Sequence, residues 1–459
     1  MYSRISIFCK GRNIEGLSKT LFTIIVSVMI IFIFSTKTFA IPSFARQTNL
    51  SCNYCHYAFP TLTSFGRLFK LNGYTMTNIE TINAVSSDSE RTTLKLLSTY
   101  SFSSMVKASY TSISKATTGT DNDFVQAPEE ISLFLSGEIT PNMGAFVQTT
   151  YGLSDGTIGL DMLDVRYADH TKIGSNELIY GLTLNNIPTT QDVWNSTTVW
   201  GFPYSGSEPA PAPTASTMLD SPPEGVAGLG AYMLYNKLIY AEVSVYHSSP
   251  AGVSYPPDNS WENNIKGVAP YWRLAIQHQW KDQYAEVGTF GMSASFYPSG
   301  IEGLTNKNTD YGFDGQYEKN IENGSSLIFH AAYTTEKQNL EAAFNSEEAA
   351  NNSNTLNSFR TDLTYNFPEF VSLTAGYFST SGSTDMLLYA PGEVSGSNNG
   401  EPNSSGEILQ FTFIPWMNTQ FAIQYKIYGK FNGGSSDYDG SGRNASDNNT
   451  LYVSAWLVY

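Results

Sequence analysis

The chain has 459 residues, and its 41 acidic side chains outnumber 25 basic ones, which gives a formal net charge of −16. That balance excludes nucleic acid as a partner and favours cations. Aromatic residues are plentiful, with 29 Tyr and 27 Phe, whereas charged residues make up only 14% of the chain. Three cysteines are too few for a disulfide framework.

Residues 1–40 predict a secretory signal peptide that is cleaved after Ala40. Basic residues come first, an apolar run follows at 21–34, and Thr38-Phe39-Ala40 has the small-x-small character of a cleavage site. A membrane anchor is the alternative interpretation, but the apolar run is shorter than the roughly 20 residues that a bilayer core requires. Cleavage would remove Cys9 and leave two cysteines in the mature chain.

The stretch Cys52-Asn53-Tyr54-Cys55-His56 predicts covalent attachment of one c-type haem. Two thiols at this spacing can bond the two vinyl groups of a porphyrin, and the histidine that follows is then the proximal iron ligand. A redox disulfide and half of a zinc site are competing interpretations of a Cys-x-x-Cys pair. A zinc ribbon needs four ligands, and the chain has no second pair. We expect the carbonyl of Pro60 to orient His56 through its second ring nitrogen.

Residues 41–90 form the predicted monohaem cytochrome c segment, which is too small to bury a stable core without a partner. We expect the porphyrin and a surrounding barrel to support it. The side chains expected to pack on the ring are Phe59, Phe65, Leu68 and Phe69. The cations that are candidates to pair with the haem propionates are Arg46, Arg67 and Lys70. Ordinary core packing and a solvated surface position are the alternatives for each of them.

The sequence leaves the second axial ligand of the haem iron open. Met76 lies in the same segment, twenty residues after His56, and a His/Met pair would raise the reduction potential. Water and another methionine are alternatives, as are four histidines: His170, His247, His278 and His330. Of these, His170 and His278 fall near predicted periplasmic turns, from which either could approach the segment.

Residues 91–459 predict a porin-like transmembrane β-barrel of sixteen antiparallel strands in the bacterial outer membrane. Apolar and polar residues alternate with a period of two, as a strand between lipid and a wet lumen requires. No apolar stretch after the signal is as long as a membrane-spanning helix, so strands would have to cross the bilayer. A soluble β-sandwich is the alternative. The sixteen segments are 94–110, 129–140, 143–153, 158–170, 177–185, 226–235, 237–247, 268–280, 284–297, 310–319, 325–336, 356–366, 370–378, 406–414, 419–430 and 449–459.

The connections between these segments alternate between tight turns and long polar loops. We expect the long loops outside the cell and the short turns in the periplasm, so that both ends of the barrel region lie on the periplasmic side. The proline-rich residues 208–213 in the longest loop predict a stiff surface spacer. The last strand ends on Tyr459, an aromatic terminus that is common in outer-membrane barrels.

The N-terminal block resembles the fused monohaem cytochrome-porins of iron-oxidising bacteria. The resemblance rests on five stretches: Phe44-Ala-Arg-Gln-Thr48, Cys52-x-x-Cys-His56, Pro60-x-Leu62, Phe65-Gly-Arg67 and Phe69-Lys-Leu-Asn-Gly-Tyr74. Looser matches follow in order through the barrel at 181–186, 188–189, 191–195, 200–203 and 269–274. The resemblance implies an oxidoreductase that takes an electron from extracellular Fe(II) and passes it to a periplasmic cytochrome or another electron carrier.

Acidic residues on the polar faces of the predicted strands are candidates to attract Fe(II) into the lumen, because carboxylates bind hard cations. They are Glu130, Glu138, Asp164, Asp310, Asp314 and Glu318. The alternative is the ordinary charge of a porin lumen. Other functions stay open as well: a diffusion channel whose haem segment serves sensing or assembly, a sheath for a separate multihaem protein, or a cytochrome-porin for another donor.

Overall fold

The computed structural model describes residues 42–76, 81–83, 95–97, 100–152, 156–194, 201–221, 225–248, 263–298, 302–368, 370–416 and 418–459. The expected signal peptide lies outside these residues. No described helix is both long enough and apolar enough to cross a membrane.

Residues 42–76, called the N-terminal segment below, combine two helices with a small hairpin. The helices are α1 (Pro42–Thr48) and α2 (Ser64–Leu71), with a 3-10 helix at Cys52–Tyr54 between them. The hairpin pairs β1 (His56–Ala58) with β2 (Thr61–Leu62). A second small hairpin follows in the chain and pairs β3 (Thr81–Asn83) with β4 (Lys95–Leu97).

Sixteen long antiparallel strands and one short strand close into a barrel, as the sequence predicts. The long strands are β5 (Phe102–Ile113), β6 (Asp123–Thr140), β7 (Met143–Gly152), β8 (Ile158–Ile173), β9 (Asn176–Asn185), β10 (Val226–Tyr235), β11 (Ile239–Ser248), β13 (Ala269–Gln279), β14 (Gln283–Pro298), β15 (Asn306–Asn320), β16 (Ser326–Asn339), β17 (Ser353–Asn366), β18 (Val371–Gly382), β19 (Ser404–Trp416), β20 (Thr419–Lys430) and β21 (Thr450–Val458). The short strand is β12 (Asn263–Ile265), and short helices α3 (Pro188–Gln191) and α4 (Glu341–Asn345) lie in the loops. The barrel closes where β21 pairs with β5.

The strands alternate between a buried lumen face and an exposed outer face. In β13, Tyr271 and Arg273 are buried, whereas Leu274 and Ile276 are 52% and 61% exposed on the outside. Apolar side chains dominate the exposed face throughout the barrel, and polar side chains are common on the buried face. This arrangement is the reverse of a water-soluble barrel and is typical of strands between lipid and an aqueous lumen.

Short turns and longer loops alternate around the barrel, which confirms the predicted pattern. The turn between β6 and β7 spans two residues, whereas the connection from β9 to β10 spans forty. β5 begins and β21 ends at the rim of short turns, where Tyr459 and Ser104 exchange backbone hydrogen bonds of 2.7 and 2.9 Å. We therefore call this end of the barrel the turn end and the other the loop end.

Most strand boundaries differ from the sequence prediction by up to four residues, and three differences have a clear cause in strand pairing. β5 begins at Phe102 rather than at 94, because residues 95–97 pair with β3 instead of continuing into the barrel. β6 begins six residues early, at Asp123. β12 lies in a region predicted as loop, where it pairs with the end of the long strand β14 beyond β13. In each of these places, backbone pairing with a neighbouring strand sets the boundary. The alternation of side chains along the sequence does not reveal that pairing.

The longest loop folds into the lumen, contrary to the expected surface position. We call residues 186–221 the inward loop, of which 195–200 are outside the described residues. Buried acids of the barrel bind the C-terminal part of this loop. Asp310 accepts a hydrogen bond from the backbone N–H of Leu219 at 2.9 Å, and Glu336 accepts one from the backbone N–H of Met218 at 2.7 Å. The proline-rich stretch touches the inner wall, where the hydroxyl of Tyr428 donates to the carbonyl of Pro211. The prediction of a surface spacer is thus wrong, because side chains of the inner wall form hydrogen bonds with the backbone of this loop.

Candidate functional site

The Cys-x-x-Cys-His motif forms a tight turn in which His56 is held by a nearby backbone carbonyl. Cys52 is buried and Cys55 is half-buried, and no disulfide joins them. The Nδ1 atom of His56 lies 3.2 Å from the carbonyl oxygen of Pro60, which confirms the contact expected from the sequence. A histidine held through Nδ1 presents Nε2 as its ligating nitrogen.

Burial sets the protonation state of the motif. It lowers the pKa of His56 to about 4, against the opposing effect of hydrogen bonds with the backbone of Pro60 and Thr61. It also raises the pKa of Cys55 to about 11, with a further contribution from Cys52. At neutral pH the imidazole is therefore uncharged, as a metal ligand must be, and Cys55 is a thiol.

Helix α2 packs directly on the back of the motif through a glycine. A Cβ atom at Gly66 would lie 2.3 Å from the carbonyl oxygen of Cys55, so no larger side chain fits without displacement. Thr63 caps the helix by accepting from the Gly66 N–H at 3.2 Å, and its own N–H donates to Cys55 at 2.9 Å. The residues that follow the motif thus fix its backbone.

One side of the N-terminal segment is bound to strands β6 to β8. The hydroxyls of Ser43 and Ser136 lie 2.7 Å apart, and the Gln47 side chain donates to the carbonyl of Ser136 at 2.9 Å. The Tyr74 hydroxyl donates to Asp164 of β8 at 2.6 Å. These contacts fix both ends of the segment against the same part of the wall.

The other side of the segment is bound to strand β15. Arg67 and Glu318 form an ion pair of 2.5 Å, and their side chains are only 3% and 2% exposed. The guanidinium of Arg67 also lies 4.0 Å from the ring centroid of Tyr284. Tyr57, next to His56, donates to Glu318 at 3.1 Å. The segment therefore reaches across the lumen and is held on both sides.

The three cations expected to meet the haem propionates all contact the rest of the chain. Arg67 is in its ion pair, and Arg46 donates to the carbonyl of Phe102 at 2.5 Å. Lys70 donates to the carbonyls of Thr190 and Asp192 in the inward loop, and burial, with Arg166, lowers its pKa to about 8. A role with propionates stays a prediction for each of them.

The side chains expected to pack on the haem point in different directions. The ring of Phe59 lies 4.7 Å from that of His56, between centroids. Phe65 is 38% exposed, Phe69 is buried, and Leu68 packs against a buried cluster of the barrel wall. Only Phe59 among the four is in ring contact with His56 in the described structure.

The inward loop meets the N-terminal segment toward the turn end of the barrel. Trp194 is 1% exposed and belongs to the same buried cluster as Leu71 of the segment and Tyr232 of β10. Its indole N–H donates to the hydroxyl of Tyr284 at 2.5 Å. At this level the inward loop fills the lumen from one end and the N-terminal segment fills it from the other.

Two adjoining spaces remain beside the motif, on the side of β16 to β21. They share Phe59 and Tyr204 in their walls. One of them is also lined by Tyr57, Thr61 and His330.

The candidates for the second axial position are widely separated. His170, His247 and His278 are exposed; His170 lies 3.2 Å from Glu177, and His278 packs on Trp280. His330 is 4% exposed and faces the lumen. Met76 is half-buried, two residues after the Tyr74 that is bound to β8.

The predicted iron-attracting acids are mostly engaged by lumen cations. Asp164 pairs with Arg166 at 2.7 Å, Asp314 with Arg273 at 2.6 Å, and Glu318 with Arg67. Glu130 lies 3.7 Å from Lys107, the partly buried Glu138 donates through its backbone N–H to Gln47, and Asp310 holds the inward loop. No three His, Cys, Asp or Glu side chains of the described residues group as a metal site. Attraction of Fe(II) by these acids stays a prediction.

Sequence reasoning missed several buried charges of the lumen. Arg166 and Arg273 are both fully buried, and the alternation of their strands was the signal that could have placed them inward. Glu129 was missed in favour of Glu130. It is 1% exposed and bonded to Lys107 and Tyr452, because a register shift after Lys107 turns Glu129 inward beside Glu130.

The comparisons with known proteins find similar solved structures, all of them outer-membrane proteins among those described below. No family model and no curated protein matches the chain. Among solved structures, OmpF of Salmonella typhi in complex with daunomycin has 12% identity and a TM-score of 0.47, covering 78% of this chain and 97% of that chain. An anion-selective porin from Comamonas acidovorans has 11% identity and a TM-score of 0.46 over 78% and 98%. A loop L8 deletion mutant of OmpT from Vibrio cholerae has 11% identity and a TM-score of 0.42 over 78% and 98%. Values this low say nothing about activity, and the barrel fold rests on the strand pairing itself.

Proposed function

We propose that this chain is an outer-membrane electron-transfer protein that oxidises extracellular Fe(II) through one covalently bound haem c. The electron would pass to a periplasmic cytochrome or another electron carrier. The observation that carries the proposal is the Cys52 to His56 motif inside a closed barrel, with His56 held by Pro60 and a space beside it. Fe(II) as the donor follows from the resemblance of the N-terminal block to cytochrome-porins.

The outer surface supports a place in a membrane. Outward side chains such as Val287 and Phe313 are 68% and 65% exposed, on a barrel whose exposed face is largely apolar. A surface of that kind would associate in water, whereas lipid accommodates it. Closed barrels are also the one way in which strands satisfy their backbone groups in a bilayer.

The residues of the motif fit a covalently attached haem. Cys52 and Cys55 are unoxidised and would provide the two thioether sulfurs, and the neutral His56 would provide the proximal nitrogen. A haem c bound there supplies a one-electron Fe(III)/Fe(II) couple.

The ends of the barrel support a direction for the electron. Tyr57 is bonded to Glu318 and Asn320, which lie in the last residues of β15 before a short turn. The motif is therefore near the turn end, which we assign to the periplasm by the usual loop asymmetry of such barrels. A soluble carrier in the periplasm could approach it there.

The test is an anaerobic absorption spectrum of the purified protein before and after addition of Fe(II). We expect the wild-type protein to carry covalent haem and to change from the oxidised to the reduced spectrum. The His56→Ala variant should lose that change. A wild-type protein that stays oxidised with Fe(II) but is reduced by dithionite would overturn the iron donor, and one without covalent haem would overturn the whole proposal.

A further inference from the structure

A buried histidine of the barrel wall faces the space beside the haem motif. His330 lies on β16 and is 4% exposed. Its side chain lines the same space as Tyr57, Phe59 and Thr61, which follow His56 in the N-terminal segment. A residue of the wall and the residues next to the proximal histidine therefore face the same space.

The two nitrogens of this imidazole have different surroundings. Nδ1 lies 3.0 Å from the Oδ2 atom of Asp362 on the neighbouring strand β17, and Asp362 itself is buried. Nε2 is buried and has no hydrogen-bond partner among the described residues. Buried polar nitrogens are nearly always paired, so a lone one calls for an explanation. A carboxylate that holds one ring nitrogen while the other is directed to a metal is the usual arrangement of a ligating histidine.

We propose that His330 is the second axial ligand of the haem iron and that Asp362 is its positioning residue. The inference rests on the proposed function, because it requires a haem at Cys52 and Cys55. The second ligand thus comes from the barrel wall, whereas the first comes from the N-terminal segment.

The placement of Met76 argues against it as the competing ligand. Tyr74 is bound to Asp164 of β8, and Met76 is two positions further along the chain, a step of at most about 7 Å. β8 is seven strands away from β16 around the sixteen long strands of the barrel. The motif instead lies against β15, next to β16, through Tyr57 and Glu318. Met76 is thus on the far side of the lumen from the space beside His56.

The remaining histidines do not face this space. The chain has five histidines, all of them among the described residues, and His170, His247 and His278 are exposed. His330 is the one besides His56 that the lumen encloses. A His/His pair would also give a lower reduction potential than a His/Met pair.

The experiment uses the full-length holoprotein and compares the wild type with His330→Ala by electron paramagnetic resonance and absorption spectroscopy. We expect the wild type to show low-spin iron with two imidazole ligands. His330→Ala should keep its covalent haem on a denaturing gel, lose the low-spin signal, and regain it on addition of free imidazole. Asp362→Asn should keep the low-spin signal but shift the midpoint potential upward, since a carboxylate partner makes the imidazole more basic.

Matched controls are Met76→Ala and His278→Ala, which should leave the low-spin signal unchanged. A wild-type spectrum with a methionine signature, or an unchanged low-spin signal in His330→Ala, would overturn the proposal. The wild-type spectrum alone decides the question if His330→Ala fails to fold. Absence of covalent haem from the wild type would instead refute the proposed function, so the two failures are distinguishable.

Discussion

Arg67 and Glu318 are the two charges on which the docking of the N-terminal segment depends most. Both are almost fully buried, and Glu318 also accepts from Tyr57 beside the proximal histidine. A buried pair of this kind contributes little relative to apolar residues, but loss of one partner leaves an uncompensated charge. The pair therefore controls whether the segment stays in the lumen.

We predict that Glu318→Gln destabilises docking of the segment by about 3 to 5 kcal/mol. The rate at which a protease removes the N-terminal segment in detergent should rise about a hundredfold or more, since each 1.4 kcal/mol is about tenfold. Glu177→Gln is the control, because its pair with Lys237 is exposed and contributes about 0 to 1 kcal/mol. Equal digestion of both variants would show that the pair is not a determinant of docking.

The inward and outward positions of single residues were predictable only where the strands are regular. Alternation places Asp164, Asp314 and Glu318 inward, and the structure buries all three. It places Glu130 inward, near Lys107, but it misses Glu129, which the irregular register of β6 also turns inward. The pairing of Asp314 with Arg273, residues from strands that are not neighbours, has no signal in a single sequence.

Helix α2 is the element whose contact with the haem motif is closest. We predict that Gly66→Ala forces the helix away from Cys55 at a cost of about 1 to 3 kcal/mol, because its Cβ would overlap the carbonyl oxygen. Haem content per chain, measured by the pyridine haemochrome method, should fall severalfold. Gly206→Ala is the control, since no atom lies within 4 Å of its added Cβ. Full haem content in Gly66→Ala would show that the helix can adjust.

The loops at the loop end are joined through one carboxylate. Asp385, in the connection from β18 to β19, accepts from the backbone N–H groups of Ala350 at 2.8 Å, Asn351 at 3.0 Å and Leu388 at 3.0 Å. Burial acts to raise its pKa, but the hydrogen bonds from Leu388 and Ala350 outweigh that effect and the pKa is lowered. The contribution of Asp385 to loop stability is therefore present above the ordinary pKa of about 4 and is lost as the pH falls through the lowered value.

We predict that these loops become sensitive to pepsin only when the pH falls well below about 4. At pH 7, a protease active at neutral pH should cleave these loops about ten to a hundred times faster in Asp385→Asn than in the wild type, from the loss of about 1.5 to 3 kcal/mol of charge-assisted hydrogen bonding. Asp121→Asn, in another exposed loop, is the control. Wild-type loops that open gradually from pH 7 downward would contradict the lowered pKa.

At the scale of elements, the number of long strands and the alternation of their connections were predictable, because both follow from side-chain period and loop composition. The direction of the inward loop was not. Its Asn, Ser, Gly and Pro residues predict an exposed connection, whereas partners such as Asp310 and Tyr428 come from strands far along the chain. The space shared by Phe59 and His330 depends on that same long-range packing.

At the scale of the whole molecule, the lumen is occupied by the N-terminal segment and the inward loop. We predict that liposomes containing the wild-type protein swell in small sugars no faster than protein-free liposomes. Glu318→Gln, which should release the segment, serves as the comparison and should swell faster. Rapid swelling with the wild type would favour a diffusion channel over an electron-transfer protein.

The seam between β21 and β5 dictates an order of events during biogenesis. Ser43 is bonded to Ser103 and Ser136 beside that seam, and Cys52 is buried inside the closed wall. An enzyme that attaches haem cannot reach a thiol enclosed in this way. Attachment of the proposed haem would therefore have to be completed in the periplasm, on a chain whose barrel is still open, and insertion into the membrane would then enclose Cys52.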